Sequence, residues 1–168
     1  EEIFCPANIT LEQAKTAETL AIDIIEKLDM VGLLAIEFFV DKQGQIVINE
    51  VAPRPHNSGH HTIDSVVTSQ LEQLLRAILD LPLGSTELTS ASVMLNLLGE
   101  AGYEGQVYYE GFADCLAIEG VKIHLYGKKS TRPFRKMGHV TVLSDSVESA
   151  QKKANKVKNI LKVKSWEK

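Results

Sequence analysis

The sequence is short of cysteine and of long apolar runs, and each shortage narrows the class of protein. Cys5 and Cys115 are the only cysteines in 168 residues, and their spacing is not that of metal ligands. Such sparse thiols favour a reduced, cytoplasmic setting, in which we expect both to behave as buried small hydrophobes. No apolar run approaches the roughly 20 residues that cross a bilayer, so no membrane partner is expected.

Low-complexity segments and a net positive charge are absent too. The formal net charge is -4, with 44% apolar and 24% charged residues, which is typical of a globular protein and gives no general case for nucleic-acid binding. The sequence opens at Glu1 without an initiator methionine or a signal-peptide pattern, so we expect it to be part of a longer protein. Its length suits one ordinary domain or two small ones.

Hydrophobic periodicity predicts a helix, a hairpin and a second helix in the first half of the chain. Thr10 and Gln13 have the spacing of a capping box, and a turn-like sequence separates two apolar strands. The predicted elements are a helix over 11–28, strands over 31–40 and 45–51, and a helix over 62–79.

The stretch 81–85, Leu-Pro-Leu-Gly-Ser, makes the best internal boundary, so we predict domains over 1–84 and 85–168. The elements predicted beyond it are strands over 91–98, 121–126 and 138–143, a short helix over 105–118, and a last helix over 146–163. This order indicates an α+β fold whose sheets are mostly antiparallel.

Two acids, Glu37 and Glu50, interrupt otherwise apolar strands of the predicted hairpin. A two-residue turn at Gln43 and Gly44 would set them directly opposite each other on one face, whereas a bulged turn would make them diagonal neighbours. Opposed like charges destabilise a hairpin and require a cation. A lysine or an arginine could serve, but Mg²⁺ bound by carboxylates and substrate phosphates is the better fit. The alternative is that both acids lie at a solvated sheet edge and bind nothing.

The loop after the second strand contains Arg54, His56 and Asn57, with a proline on each side of the arginine. The prolines stiffen the chain, and a rigidly held guanidinium presents a planar donor fork that matches carboxylate, bicarbonate or phosphate. The imidazole and the amide add donors close by. A salt bridge to a nearby acid is the alternative for Arg54, and capping or packing at the helix start is the alternative for His60 and His61.

Positive charge is concentrated in the segment 121–144, which carries six lysines and arginines and no acid. Most of these residues lie in a predicted loop between two strands, with glycine at both ends. A basic loop in an acidic protein attracts an anionic ligand. The alternative is a solvated positive loop that binds nothing.

Several of these segments together resemble one enzyme family. They are residues 35–40, 48–60, 68–73, 76–79, 81–86, 94–99 and 132–139, of which the Arg-Pro-His-Asn-Ser-Gly-His run is the most specific. The chain resembles ATP-grasp enzymes and, more narrowly, 5-(carboxyamino)imidazole ribonucleotide synthases, which act in purine biosynthesis. The resemblance covers nearly the whole chain. It implies the C-terminal half of an ATP-grasp large lobe, an antiparallel sheet with helices, followed by a small α/β C-terminal domain.

The resemblance also implies a reaction and a set of site residues. ATP phosphorylates bicarbonate to carboxyphosphate, and the amine of aminoimidazole ribonucleotide takes up the carboxyl group. The implied cofactors are ATP and Mg²⁺, the implied assembly is a homodimer, and Arg54 matches the catalytic residue that holds bicarbonate or carboxyphosphate. The other matches are Glu37 and Glu50 as metal ligands, His56 and Asn57 as substrate-loop residues, and Lys128 and Arg135 as the grip on the 5′-phosphate.

The sequence departs from the family in two respects. Ala52 stands where many ATP-grasp enzymes carry an asparagine, which leaves the metal to the carboxylates and water. The family's nucleotide-fold domain and ATP-clamping lysines have no counterpart in these residues, so we expect a C-terminal fragment that is inactive alone. Two alternatives are a relative of formate-dependent glycinamide ribonucleotide transformylase, which has a similar Arg-Pro-His loop, and a non-catalytic binding or dimerisation fragment.

Overall fold

The computed structural model describes residues 2–166, which form two compact units. The first unit is Ala7–Glu87, and the second combines the described residues before Ala7 with those from Leu88 onward. This division differs from the predicted domains, 1–84 and 85–168, because the first strand pairs within the second unit and the units part three residues later. Among the helices of residues 2–166, none has both the length and the apolar character to cross a bilayer.

The first unit begins with helix α1, Leu11–Lys27, as the periodicity predicts. The predicted capping box is confirmed: the Gln13 backbone N–H donates to Thr10 Oγ1 at 3.2 Å, and the Thr10 N–H donates to Gln13 Oε1 at 2.9 Å. The Gln13 side chain also donates to the carbonyl of Gly44 at 2.9 Å. One residue therefore caps α1 and holds the helix against the hairpin turn.

A hairpin follows, formed by β2, Ala35–Val40, and β3, Ile46–Ala52. The turn is longer than the two-residue alternative, because the Asp41 carboxylate accepts the Gln45 N–H at 2.8 Å and closes a longer loop. In that register Val40 pairs with Ile46, and Glu37 would face the residue before Glu50. A β-bulge between Glu37 and Phe38 absorbs the extra residue and restores the predicted pairing of the two acids.

The single helix predicted over 62–79 is wrong, since the structure divides it. A 3-10 helix, Asn57–His61, leads into a short α2, Thr62–Ser65, and α3 begins again at Gln70–Ile78. Between them the backbone is extended, and the Val67 N–H donates to Glu87 O at 3.0 Å. Ser69 then caps α3 by accepting the Glu72 N–H at 3.2 Å.

The second unit is built on a four-stranded antiparallel sheet. In spatial order its strands are β1 (Glu2–Cys5), β4 (Ala91–Leu98), β8 (Lys136–Ser144) and β6 (Val121–Leu125). Helix α5, Val147–Ile160, starts at the predicted Ser146 cap and buries Ala150, Ala154 and Val157 against the sheet. The first strand was not predicted, because its four residues show no resolvable pattern.

Every buried apolar side chain among residues 2–166 lies at or beyond Val93, so the dry core belongs to the second unit. Cys115 joins that core, and burial raises the pKa of its thiol, whereas Cys5 is only half-buried. The expectation that both thiols are buried is therefore right for Cys115 alone.

A small second sheet was missed by the sequence patterns. It has the order β7 (Ser130–Thr131), β5 (Gly105–Glu110) and β9 (Lys162–Ser165). The helix predicted over 105–118 is wrong for its first half, which forms β5. Only the short α4, Phe112–Leu116, is helical, and Gly111 at φ 72° separates the two elements. The last helix ends at Ile160 instead of continuing to 163. The α+β class with antiparallel sheets is nevertheless confirmed.

Two glycines with nearly the same backbone conformation provide a test of close packing in the second unit. Gly120 has φ +84°, and a Cβ there would lie 2.2 Å from Leu143 O; Gly102 has φ +82° with nothing within 4 Å. We expect Gly102→Ala to cost about 1 kcal/mol through backbone strain alone, and Gly120→Ala about 3 kcal/mol through added overlap. Urea unfolding of both variants measures the difference, and equal losses would contradict this packing.

Candidate functional site

The bulged hairpin places the Glu37 and Glu50 carboxylates opposite each other on one face of the first unit. Their side chains are 39% and 58% exposed, respectively. Asn49, the residue beside the bulge, donates from Nδ2 to Glu37 Oε2 at 3.4 Å. The two acids are thus close and half-exposed, which allows a ligand to reach both.

His56 lies between the two carboxylates. Its Nδ1 is 3.5 Å from Glu37 Oε1, and its Nε2 is 3.8 Å from Glu50 Oε1, with the ring only 14% exposed. One ligand atom from each of the three residues lies within 4.8 Å of the others. The sequence predicted His56 as a substrate-loop residue and did not predict this position, because nothing in the spacing shows that the loop turns back over the strands.

Ser58 sets the orientation of the His56 ring. The Ser58 N–H donates to Nδ1 at 3.4 Å, and the Ser58 hydroxyl lies 2.7 Å from the same nitrogen. With Nδ1 accepting from the backbone, the neutral ring carries its proton on Nε2, which faces Glu50. A protonated ring would instead offer a donor to each carboxylate.

The donor set fits a hard divalent cation. Within residues 2–166, neither carboxylate lies within ion-pair distance of a lysine or an arginine, and the His56 ring is the basic group that approaches both. Two opposed carboxylates without a fixed cation suit Mg²⁺, which usually takes one or two carboxylates and completes its shell with phosphate and water oxygens. Ala52, two residues after Glu50, adds no ligand.

Arg54 is exposed and stands outside this cluster. Its Nη1 donates to Pro55 O at 3.0 Å, and it makes no ion pair with any acid of residues 2–166. The alternative of a local salt bridge therefore has no support in the described part of the chain. The remaining donors of the fork are available to a ligand, as an anion-binding arginine requires. Asn57 begins the 3-10 helix and is half-buried.

His61 fits its packing alternative. Its Nδ1 lies 2.8 Å from the Ser65 hydroxyl, which donates to the His61 carbonyl at 2.9 Å. Burial lowers the pKa of His61, because the apolar surroundings disfavour the imidazolium. We assign it a structural role at the start of α2.

In the basic loop of the second unit, the two side chains that are predicted to bind the phosphate donate hydrogen bonds within the loop. Lys128 Nζ donates to Lys136 O at 2.6 Å, and Arg135 Nη1 donates to the carbonyl and hydroxyl of Ser130 at 3.0 and 3.2 Å. Arg132 and Arg135 line an open depression, which Glu104 also borders. The segment lacks acids in sequence, but a glutamate from another loop approaches it in space.

Comparison with known proteins gives the family. Residues 1–71 match the ATP-grasp domain, and residues 92–153 match the phosphoribosylaminoimidazole carboxylase C-terminal domain. The chain is 45% identical over 162 residues to N5-carboxyaminoimidazole ribonucleotide synthase of Aquifex aeolicus. The chain matches N5-carboxyaminoimidazole ribonucleotide synthases along nearly its whole length. This is the family that the sequence resembles, and the resemblance is therefore confirmed.

Two solved members of the synthase family have the same fold. The enzyme from Thermotoga maritima superposes with a TM-score of 0.95 at 54% identity, over 98% of this chain and 46% of that one. A synthase from Aspergillus clavatus, solved with ADP and 5-aminoimidazole ribonucleotide, gives a TM-score of 0.85 at 32% identity, over 95% and 43%. The match to the Aquifex aeolicus relative includes 96% of this chain but only 43% of that protein, so the chain spans less than half of these proteins.

Removing one acid of the pair should stabilise the metal-free protein and weaken its stabilisation by Mg²⁺. Glu50→Gln removes the like-charge repulsion, so the metal-free protein should gain about 0.5 kcal/mol of unfolding free energy. The same variant should lose the rise in melting temperature that millimolar Mg²⁺ gives the wild type, since binding to the folded state alone stabilises it. Glu18→Gln, on the exposed face of α1, is the control. Equal Mg²⁺ stabilisation in all three proteins would contradict the assigned site.

Proposed function

We propose that this chain forms part of an enzyme that carboxylates aminoimidazole ribonucleotide with ATP and bicarbonate, in purine biosynthesis. The observation that carries the proposal is the cluster of Glu37, Glu50 and His56 beside an arginine without an acidic partner. Support comes from the named relatives, one of them solved with ADP and 5-aminoimidazole ribonucleotide. We place the reaction in the cytoplasm and expect a homodimer, as the family resemblance implies.

In this proposal the first unit handles the phosphoryl transfer. Glu37 and Glu50 hold Mg²⁺, which when bound neutralises charge on the ATP phosphates and on the transferred group. Both carboxylates are exposed enough to meet a nucleotide, and neither is occupied by an arginine or lysine of residues 2–166. His56 supplies a donor between the two carboxylates.

Arg54 is the residue that would hold bicarbonate and then carboxyphosphate. Its planar fork can donate two parallel hydrogen bonds to either anion, and only one donor is engaged, with Pro55 O. The adjacent prolines limit the backbone that carries it, which reduces the entropy lost when the anion is gripped. His56 and Asn57, the next positions of the same loop, would contact the carboxylated group or the substrate.

Lys128 and Arg135 would bind the 5′-phosphate of the ribonucleotide. Each is tied to its own loop by a backbone carbonyl, so both cations are ordered before a ligand arrives. Such a grip is distant from the reacting carbon in the substrate itself. It should therefore contribute binding in the ground state and the transition state alike.

The test is an assay of the protein expressed from the complete coding sequence. Carboxylated ribonucleotide should form from aminoimidazole ribonucleotide, bicarbonate and Mg·ATP. Formylation of glycinamide ribonucleotide from formate, without carboxylation, would replace this function with that of the transformylase. Residues 1–168 alone should show no turnover, because the relatives are more than twice as long; calorimetry with Mg·ATP and with the ribonucleotide would then measure any binding by the fragment.

Arg54→Ala should lower turnover by about 10²- to 10³-fold, the cost of removing a group that stabilises a reacting anion. The unfolding free energy should stay unchanged, because the side chain is exposed and bonds only to Pro55 O. Arg76→Ala is the matched control: Arg76 bonds Glu72 Oε1 at 2.7 Å and Pro82 O at 3.0 Å. That variant should lose stability and keep its turnover. A parallel loss of stability in Arg54→Ala would favour a structural role.

Lys128→Ala should raise the KM for the ribonucleotide about 10- to 100-fold, as expected for a lost charge-assisted hydrogen bond. The kcat should change little, since the phosphate is bound equally before and during the reaction. Lys129→Ala, the exposed neighbour in the same loop, controls for the change in net charge. A fall in kcat with unchanged KM would assign Lys128 to the chemistry instead.

A further inference from the structure

The side chain of Gln70 forms a reciprocal pair of hydrogen bonds with the backbone of His56. The His56 N–H donates to Gln70 Oε1 at 3.1 Å, and Gln70 Nε2 donates to the His56 carbonyl at 2.8 Å. The two residues are 14 apart in sequence. One amide thus satisfies both backbone groups of the residue whose ring lies between the two carboxylates.

Gln70 is itself held from several sides. Its backbone N–H, the first of α3, donates to Thr62 Oγ1 at 3.0 Å, and that hydroxyl donates to Gly59 O at 2.6 Å. Its Nε2 also lies 3.0 Å from His60 Nδ1. Gly59 lets the amide lie flat on the loop, because a Cβ there would be 2.5 Å from Gln70 Oε1. The amide has little freedom to rotate away.

The clamp matters because it fixes the backbone of the segment that carries two predicted site residues, Arg54 and His56. The position of the His56 backbone decides where its ring meets Glu37 and Glu50, and the Arg54 side chain extends from the same short segment. A displacement near 1 Å in such a segment can cost about 10²-fold in rate.

We propose that Gln70 is a positioning residue for the carboxylation reaction, acting through the backbone of His56. The inference rests on the proposed function and deepens it. Among the described residues, the Gln70 side chain bonds the backbone of His56 and the ring of His60, and it bonds neither carboxylate. Its role is to keep the imidazole and the guanidinium in place while carboxyphosphate exists.

The chemistry supplies a readout that loss of folded protein would not change. ATP gives its γ-phosphoryl group to a bicarbonate oxygen, forming ADP and carboxyphosphate. Attack of the ribonucleotide amine on the carboxyl carbon breaks the bond to the phosphate oxygen, and inorganic phosphate leaves. Attack of water at the same carbon returns bicarbonate and phosphate without product. The ratio of carboxylated product to ADP therefore measures how well the loop retains carboxyphosphate.

Gln73 offers a matched control in the same helix. Its Nε2 donates to Gly84 O at 2.7 Å, and its Oε1 accepts the Gly84 N–H at 3.0 Å. The residue type, the half-burial and the reciprocal bonding equal those of Gln70, but the clamped loop holds no predicted site residue. Equivalent substitutions should cost similar stability and differ only in chemistry.

The experiment compares Gln70→Glu with Gln73→Glu in the protein from the complete coding sequence. Each keeps the side-chain shape and removes the Nε2 donor. We expect Gln70→Glu to lower product per ADP to about half or less and kcat by about 10- to 100-fold, with the ribonucleotide KM unchanged within about threefold. Gln73→Glu should keep product per ADP at the wild-type value. The uncharged pair Gln70→Met and Gln73→Met should show the same contrast.

Each other outcome has a definite meaning. Equal product-to-ADP ratios in the Gln70 and Gln73 variants, with an active wild type, would overturn the positioning role and leave the proposed function standing. A fall in Gln70→Glu that is absent from Gln70→Met would assign the effect to added charge near Glu37 and Glu50, and would overturn the clamp. A wild type that makes no carboxylated product would overturn the proposed function, and this inference with it.

Discussion

Two carboxylates of like charge face each other across the hairpin, and the rest of the site follows from how that repulsion is met. The bulge beside Glu37 fixes the pairing with Glu50, and no lysine or arginine of the described chain neutralises either acid. Opposed like charges are unfavourable in a hairpin. A protonated His56 ring or a divalent cation would relieve this repulsion, and both leave room for an anionic substrate to join the cluster.

Hydrogen bonds order the loop that carries the candidate site. Two side-chain amides of α3 each bond the backbone of a separate loop, Gln70 at His56 and Gln73 at Gly84. Such directional contacts fix a loop without filling it, which keeps the carboxylates and Arg54 accessible to ligands.

Local patterns predicted what depends on neighbouring residues. The capping box at Thr10 and the Ser146 cap are confirmed, since each needs only contacts within a few positions. The missed strands β5 and β9 pair across more than fifty residues, as Tyr108 with Lys164 shows. The helix over 62–79 failed because the Val67 N–H bonds to Glu87, a partner that periodicity does not reveal.

The sequence by itself determined the chemistry of the site: two strand carboxylates, a proline-flanked arginine and a basic loop, in an order specific enough to indicate the synthase family. Tertiary structure decided the geometry. It opposed Glu37 and Glu50 through a bulge instead of a tight turn, brought His56 between them, and placed Gln70 on the loop from another helix. The reason is physical: residue type is carried by the chain, but the contacts that orient it come from residues far along it.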